Sequence, residues 1–285
     1  MKKKFLKAAV AACTLALGAV VLAGCTSGAS SSASSSAAAD AGMEADASGD
    51  ISTLIVGFDN AYPPYGYIGD DGEYTGFDLD LAAEVAELNG WQLELMPIDW
   101  DAKDALLGQG DVNCIWNGFT MEGREDGYTF SEPYMLNEQV IVTRADSGIA
   151  SEEDLAGKVV ITQIDSAALD VLEGDKADLA ATFGRLDTIS DFNNAFLQLE
   201  SGTVDAVACD LSIAADKMAA KPDAFVQLPD ALSSEHYAVG FKKGDEALAQ
   251  KVPESLKALY ADGTVAEICA KYADRGLDEG NWVLK

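Results

Sequence analysis

Apolar and polar residues follow two rhythms along this chain. Short apolar runs of strand type occur at 53–57, 91–96, 112–116, 138–143, 158–162, 205–209, 225–228 and 237–241. Between them lie segments of helical period. Asp78 opens one, with Leu81, Val85 and Leu88 on a common face and Asn89-Gly90 as its stop. Further helices are predicted over 101–108, 166–172, 191–200, 211–218, 245–260 and 264–272, and Ser151-Glu152-Glu153-Asp154 reads as a helix start. In the 191–200 segment Phe192, Ala195, Phe196 and Leu199 fall at helical spacing. Strand–helix alternation of this kind predicts an α/β chain of mostly parallel sheets flanked by helices. Ligands of such sheets bind beyond the carboxyl ends of the strands. That rule directs attention to 58–67, 99–100, 117–124, 163–167 and Asp210, all of which carry aromatic or polar residues suited to a ligand.

The first 50 residues break the rhythm. Met1 to Lys7 carries four Lys and no acid, and residues 8–22 are an apolar run of small residues and Leu. That run is short for a membrane span and has the charge layout of a secretory signal peptide. It ends in Leu22-Ala23-Gly24-Cys25, which resembles the bacterial lipobox. The lipobox implies cleavage of residues 1–24 and diacylation of Cys25, and two acyl chains make a stable membrane anchor. Residues 26–50 are Ser, Ala, Gly and Asp with almost no apolar bulk, a composition that cannot offset its own ordering entropy. Residues 25–50 are therefore expected to act as a flexible tether reaching roughly 25–30 Å.

Composition narrows the function classes. The chain has 285 residues, 48% of them hydrophobic, enough for one large or two ordinary domains and too apolar for a disordered protein. Its 19 basic and 48 acidic residues give a net charge of −29, which argues against a nucleic-acid partner. Loss of the four Lys of the signal peptide would take this to −33. One His, five Cys and no Cys-x-x-Cys pair leave no basis for a metal site, and no cofactor motif occurs. Cys114 and Cys209 sit in apolar runs and, with Cys269, are expected to be buried free thiols; a Cys114–Cys209 disulfide is the alternative.

The polar segments that follow the strands carry a resemblance. Val56-Gly57-Phe58-Asp59-Asn60-Ala61-Tyr62-Pro63-Pro64-Tyr65, Gly76-Phe77-Asp78-Leu79-Asp80-Leu81-Ala82, Asp99-Trp100, Asp111-Val112, Asn117-Gly118-Phe119-Thr120 with Arg124, and Phe130-Ser131-Glu132-Pro133-Tyr134 follow one another in order. The 151–158 segment, Val204-Asp205-Ala206-Val207 with Asp210, and Ala261-Asp262-Gly263-Thr264 complete the series. Together they resemble the polar-amino-acid family of bacterial extracellular solute-binding proteins, the receptors of ABC importers, over nearly all of 51–285. The resemblance implies the type II periplasmic-binding-protein fold, with lobe one at about 51–141 and 238–285 and lobe two at about 142–237. The crossings would fall near 140–144 and 236–239. It also implies a monomeric receptor without catalytic residues, partnered by a free amino acid, a permease–ATPase complex and, through Cys25, the membrane. A cyclohexadienyl dehydratase-like enzyme and a ligand-sensing module are the alternatives on the same fold.

The resemblance also assigns roles within the site. Arg124 matches the family's carboxylate-binding Arg, and a guanidinium fork suits a carboxylate. The alternative for Arg124 is a surface pair with Glu125 or Asp126, and the Thr120–Arg124 spacing is one residue shorter than the family's. Asp210 matches the ammonium-binding Asp, with the Thr120 hydroxyl and Gly118 carbonyl sharing the load; locally it is an equally good helix N-cap. Tyr62 and Trp100 match the rings that enclose the ligand, with Tyr65, Trp116 and Asn117 nearby; Trp116 is also a core candidate. Asp59 matches a side-chain contact or else caps the turn around Tyr62. In the second lobe Gln163 and Ser166 match a loop that helps hold the carboxylate, but Asp165 stands where the family has Gly. It either points away or contributes to cation recognition. His236 is expected to be surface or hinge packing.

Overall fold

The computed structural model describes residues 51–285. The signal peptide, Cys25 and the tether expected above lie outside the described residues. Along the chain run β1 (Thr53–Phe58), β2 (Ala61–Tyr62), β3 (Gly66–Ile68), β4 (Tyr74–Thr75), α1 (Phe77–Asn89), β5 (Gln92–Pro97), α2 (Lys103–Gln109), β6 (Cys114–Ile115) and β7 (Tyr128–Phe130). The second lobe contributes β8 (Met135–Arg144), β9 (Val159–Gln163), α3 (Ala167–Glu173), α4 (Ala177–Ala180), β10 (Arg185–Ile189), α5 (Phe192–Ser201), β11 (Ala206–Asp210), α6 (Leu211–Ala220), β12 (Phe225–Gln227) and β13 (Ser233–Tyr237). The chain then returns through β14 (Gly240–Lys242), α7 (Glu246–Asp262) and α8 (Thr264–Lys271).

Two sheets result. The first has the order β5-β1-β6-β14-β7, and the second β10-β9-β11-β8-β12, with β13 also paired to β8. β1 is parallel to β5 and β6, and β9 is parallel to β10 and β11. The strands β8 and β14 are antiparallel to their neighbours. The central strands are buried on both faces, which explains why they read as unbroken apolar runs. In β1, Leu54, Val56 and Phe58 enter the main core, while Ile55 packs on the cluster of Trp100, Leu107 and Ile115. In β11, Val207 and Cys209 face the main core and Ala206 and Ala208 the opposite one. Cys114, Cys209 and Cys269 are buried free thiols, so the Cys114–Cys209 disulfide does not form.

The structure departs from the sequence reading in several places. The chain passes between sheets after Phe130 and enters the second at Met135, upstream of the expected 140–144. Residues 139–143 lie inside β8, paired along their length with β11, so the apolar run marked the interior of a strand rather than a crossing. The return lies between Tyr237 and Gly240 and divides the expected 237–241 strand into the end of β13 and the start of β14. Leu88, placed by period on the buried face of α1, is 55% exposed. The buried stripe runs through Phe77, Asp78, Leu81, Ala82, Val85 and Ala86, and Leu88 falls on its flank. The edge strand β10 and the small sheet β2-β3-β4 lacked an apolar run to announce them.

α1 begins at a corner that also shapes the first lobe's ligand side. Gly76 has φ +149, and a Cβ there would strike the Tyr65 carbonyl. Two residues on, Asp78 is fully buried, accepting from the Gly118 amide at 2.6 Å and from the Tyr134 hydroxyl at 2.8 Å. Burial pushes its carboxyl up to about 7, against the opposing pull of the Gly118 and Tyr134 bonds. Gly76→Ala is expected to destabilise the fold by about 1–3 kcal/mol or more, read by urea unfolding, since no side chain adopts that backbone at low cost. Because the folded Asp78 carboxyl titrates above its usual value of 3.8, its contribution to stability is complete below pH 4 and is lost as pH rises towards 7. Urea melts at pH 4, 5.5 and 7 should therefore show Asp78→Asn gaining on the wild type as pH rises.

Candidate functional site

Loops from both sheets converge on one pocket. From the first lobe come Tyr62 at the end of β2, Trp100 in the turn after β5, and Asn117, Gly118, Thr120 and Arg124 in the loop after β6. From the second come Gln163, Ser166 and Ala167, where β9 passes into α3, and Asp210, the last residue of β11. The placement follows from the parallel connections, which deliver loops to the carboxyl ends of the strands. Nine of the twelve residues singled out in the sequence line this pocket.

The other three stand behind it. Trp116 is fully buried and packs against Tyr134 in the core. Tyr65 is buried edge-on against Phe77 and Tyr237. Asp59 accepts from the Ala61 amide at 2.8 Å, as a cap of the turn, and from Gln163 Nε2 at 2.7 Å, which ties the lobes together. Burial raises its carboxyl pKa, opposed by those two bonds.

Each charged end of the pocket has its own chemistry. Arg124 pairs with neither Glu125 nor Asp126. Its NH2 donates to Asp170 Oδ2 at 2.7 Å and to the Asp165 carbonyl at 3.1 Å, and its NH1 donates to the Thr120 carbonyl at 3.3 Å. The guanidinium also lies over the Phe119 ring. Its partner Asp170 is 60% exposed, so that ion pair is weak and exchangeable. Asp165, where the family has Gly, keeps a positive φ of 55°. Its side chain does not line the pocket; it reaches the buried Lys103 at 3.4 Å, while its carbonyl accepts from the Trp100 indole at 3.1 Å.

Asp210 occupies the N-cap position of α6 but makes no capping bond. It is 4% exposed, and its Oδ1 accepts from Asn137 Nδ2 at 2.9 Å, Gln139 Nε2 at 2.7 Å and the Tyr237 hydroxyl at 2.9 Å. Burial raises its pKa, opposed by bonds from tyrosine hydroxyls and Gln139. Beside it, Glu235 accepts from the same two amides and from Thr120 Oγ1. Burial raises its pKa, and the charge of Asp210 adds to the effect. No ion pair to either acid occurs among the described residues.

Gly118 has φ +58, and a Cβ there would crowd Tyr62 and Tyr237 at 3.0–3.1 Å, so this position favours Gly for both backbone and space. Asn117 is 1% exposed, and its amide has no hydrogen-bond partner among the described residues, which suits a donor–acceptor group of a ligand. Ser166 caps α3 through Leu169 and contacts the Thr162 hydroxyl at 3.1 Å. His236 lies outside the pocket, with its Nδ1 2.7 Å from Glu122.

Sequence reasoning missed Glu235, Asn137, Gln139 and Lys103. A signal existed for two of them. Asn137 and Gln139 are polar at a period of two in one strand, so their side chains share a face, and buried polar side chains on one face of a strand need a shared purpose.

Residues 54–275 match the family described as bacterial extracellular solute-binding proteins, family 3. The L-cystine-binding protein TcyJ of Escherichia coli strain K12 is 28% identical over 223 residues, covering 77% of this chain and 82% of that protein. Among solved structures, an ABC uptake transporter substrate-binding protein of Streptococcus pneumoniae with bound histidine is 34% identical, with a TM-score of 0.75 over 78% of this chain and 92% of that one. An ancestral arginine-binding protein bound to arginine is 32% identical, with a TM-score of 0.71 over 78% and 98%. The order of elements, the two-lobed fold and the family match together show that the chain belongs to the bacterial extracellular solute-binding proteins, family 3.

Proposed function

We propose that this chain is the lipid-anchored, extracytoplasmic receptor of an ABC importer, binding a free amino acid between its lobes and performing no catalysis. The observation that carries the reading is a pocket lined by both a guanidinium and a carboxylate buried without a cation. A zwitterion supplies the charge each of them lacks. Its carboxylate would take the fork of Arg124, displacing the exposed Asp170. Its ammonium would meet Asp210, and its side chain would lie along Tyr62 and Trp100.

The relatives that bind cystine, histidine and arginine support a polar or cationic amino acid. Contacts from both lobes favour the closed form, so the ligand shifts an open–closed equilibrium that a membrane permease and its ATPase can read. Cys25 would hold the receptor at the membrane through its acyl chains.

Isothermal calorimetry against the twenty amino acids and cystine should find at least one ligand of about micromolar affinity or tighter. Arg124→Ala should weaken it by about a hundredfold or more, because the ligand carboxylate would be buried unpaired. Absence of any amino-acid binding would overturn the reading. Anchoring is tested separately: in detergent phase partitioning of bacterial extracts, the wild type should enter the detergent phase and Cys25→Ser the aqueous phase.

A further inference from the structure

The acid cluster behind the pocket contains one residue that the ligand does not need to touch. Glu235 is 3% exposed and lies one layer behind the lining residues. Each amide of Asn137 and Gln139 has two hydrogens. One goes to Asp210 Oδ1 and the other to Glu235 Oε1, at 2.7–2.9 Å throughout. With an acid on each side, only the NH₂ end of each amide can face the pair, so both amides are locked in one orientation. The Thr120 hydroxyl spends its hydrogen on Glu235 at 2.7 Å. Its remaining lone pairs are then left for the pocket it lines. A hydroxyl that can only accept suits an N–H donor and rejects a second acceptor.

We infer that Glu235 is the positioning residue that makes this pocket select an ammonium group, by holding Thr120 as a pure acceptor and fixing the amides that support Asp210. The inference rests on the amino-acid reading of the site and adds to it the origin of the polarity. An α-hydroxy acid with the same side chain has the carboxylate but lacks the ammonium, so it reports the effect directly. All three bonds to Glu235 end on Oε1, so Glu235→Leu removes the acceptor of the Thr120 hydroxyl, which frees its hydrogen to turn towards the pocket and takes an acceptor from the ammonium.

The pair also sets the pH response. The titratable groups facing Asp210 are Tyr62, Tyr65, Tyr237, Cys209 and Glu235. Glu235 faces Asp210 and the Tyr237 phenol, and otherwise the neutral Thr120, Asn137 and Gln139, and Arg124 is the cation of the same pocket. Removing the charge of Glu235 relieves Asp210 of a like-charged neighbour, so Asp210 stays ionised to lower pH.

The test is calorimetry with the tightest amino acid of the panel and the α-hydroxy acid carrying the same side chain, argininic acid in the case of L-arginine. In Glu235→Leu the preference for the amino acid should fall about tenfold, the equivalent of one charge-assisted hydrogen bond, and the acid limb of its affinity–pH profile should move to lower pH. Equal weakening of both ligands with an unmoved acid limb would overturn the inference and leave a merely structural residue. Should that variant not fold, Thr120→Ser should retain the preference and Thr120→Val should lose it; an undiminished preference in Thr120→Val overturns the inference. If the wild type binds an amino acid and the preference does not move, this inference alone fails. If the wild type binds none, the reading of the site fails and takes this inference with it.

Discussion

A carboxylate taken out of water without a cation must be held by neutral donors, and Asp210 depends on three of them. Two are amides from β8 and one is a phenol from β13. Their geometry is possible only because β11, β8 and β13 lie side by side in one sheet. The arrangement leaves the acid partly compensated: burial raises the carboxyl pKa of Asp210, and burial together with the charge of Asp210 raises that of Glu235. In the proposed reading, the ammonium of a ligand would complete what neutral donors begin, and the stability given up to bury this charge would be available again on binding.

The first lobe answers with its own fixed group. Asp78 anchors the Gly118 amide, and Gly118 carries the backbone between the rings of Tyr62 and Tyr237. Arg124 projects from the same loop and is oriented by two carbonyls, those of Thr120 and Asp165. Bonds between the lobes surround the pocket: Gln163 to Asp59, the Trp100 indole to Asp165, and Lys103 to Asp165. Polar contacts therefore join the two lobes around the pocket. Such contacts exchange readily with water, as the proposed hinged receptor would require.

The limits of the sequence are instructive. Tyr62, Trp100, Thr120, Arg124 and Asp210 were legible because each sits at the carboxyl end of a strand or in the segment that follows one, where an α/β fold places its ligands. Trp116 and Tyr65 are aromatic and close to such loops, yet their rings turn into the core, and no local pattern distinguishes the two directions. Glu235 lies more than a hundred residues from the Thr120 it restrains. Lys103 opens an ordinary helix, and only the contact between the lobes brings it to Asp165.

Period and turn chemistry determined the element types and most of their order, since a strand buried on both faces must be apolar throughout and a helix must stop at its glycine. The sequence also determined which residues would stand at the strand ends. It could not decide where the chain crosses between sheets, because an apolar run reads the same inside one sheet as between two. Nor could it decide which polar groups share a carboxylate. Hydrogen bonds between distant residues depend on strand register and lobe contact, and these exist only once the chain is folded.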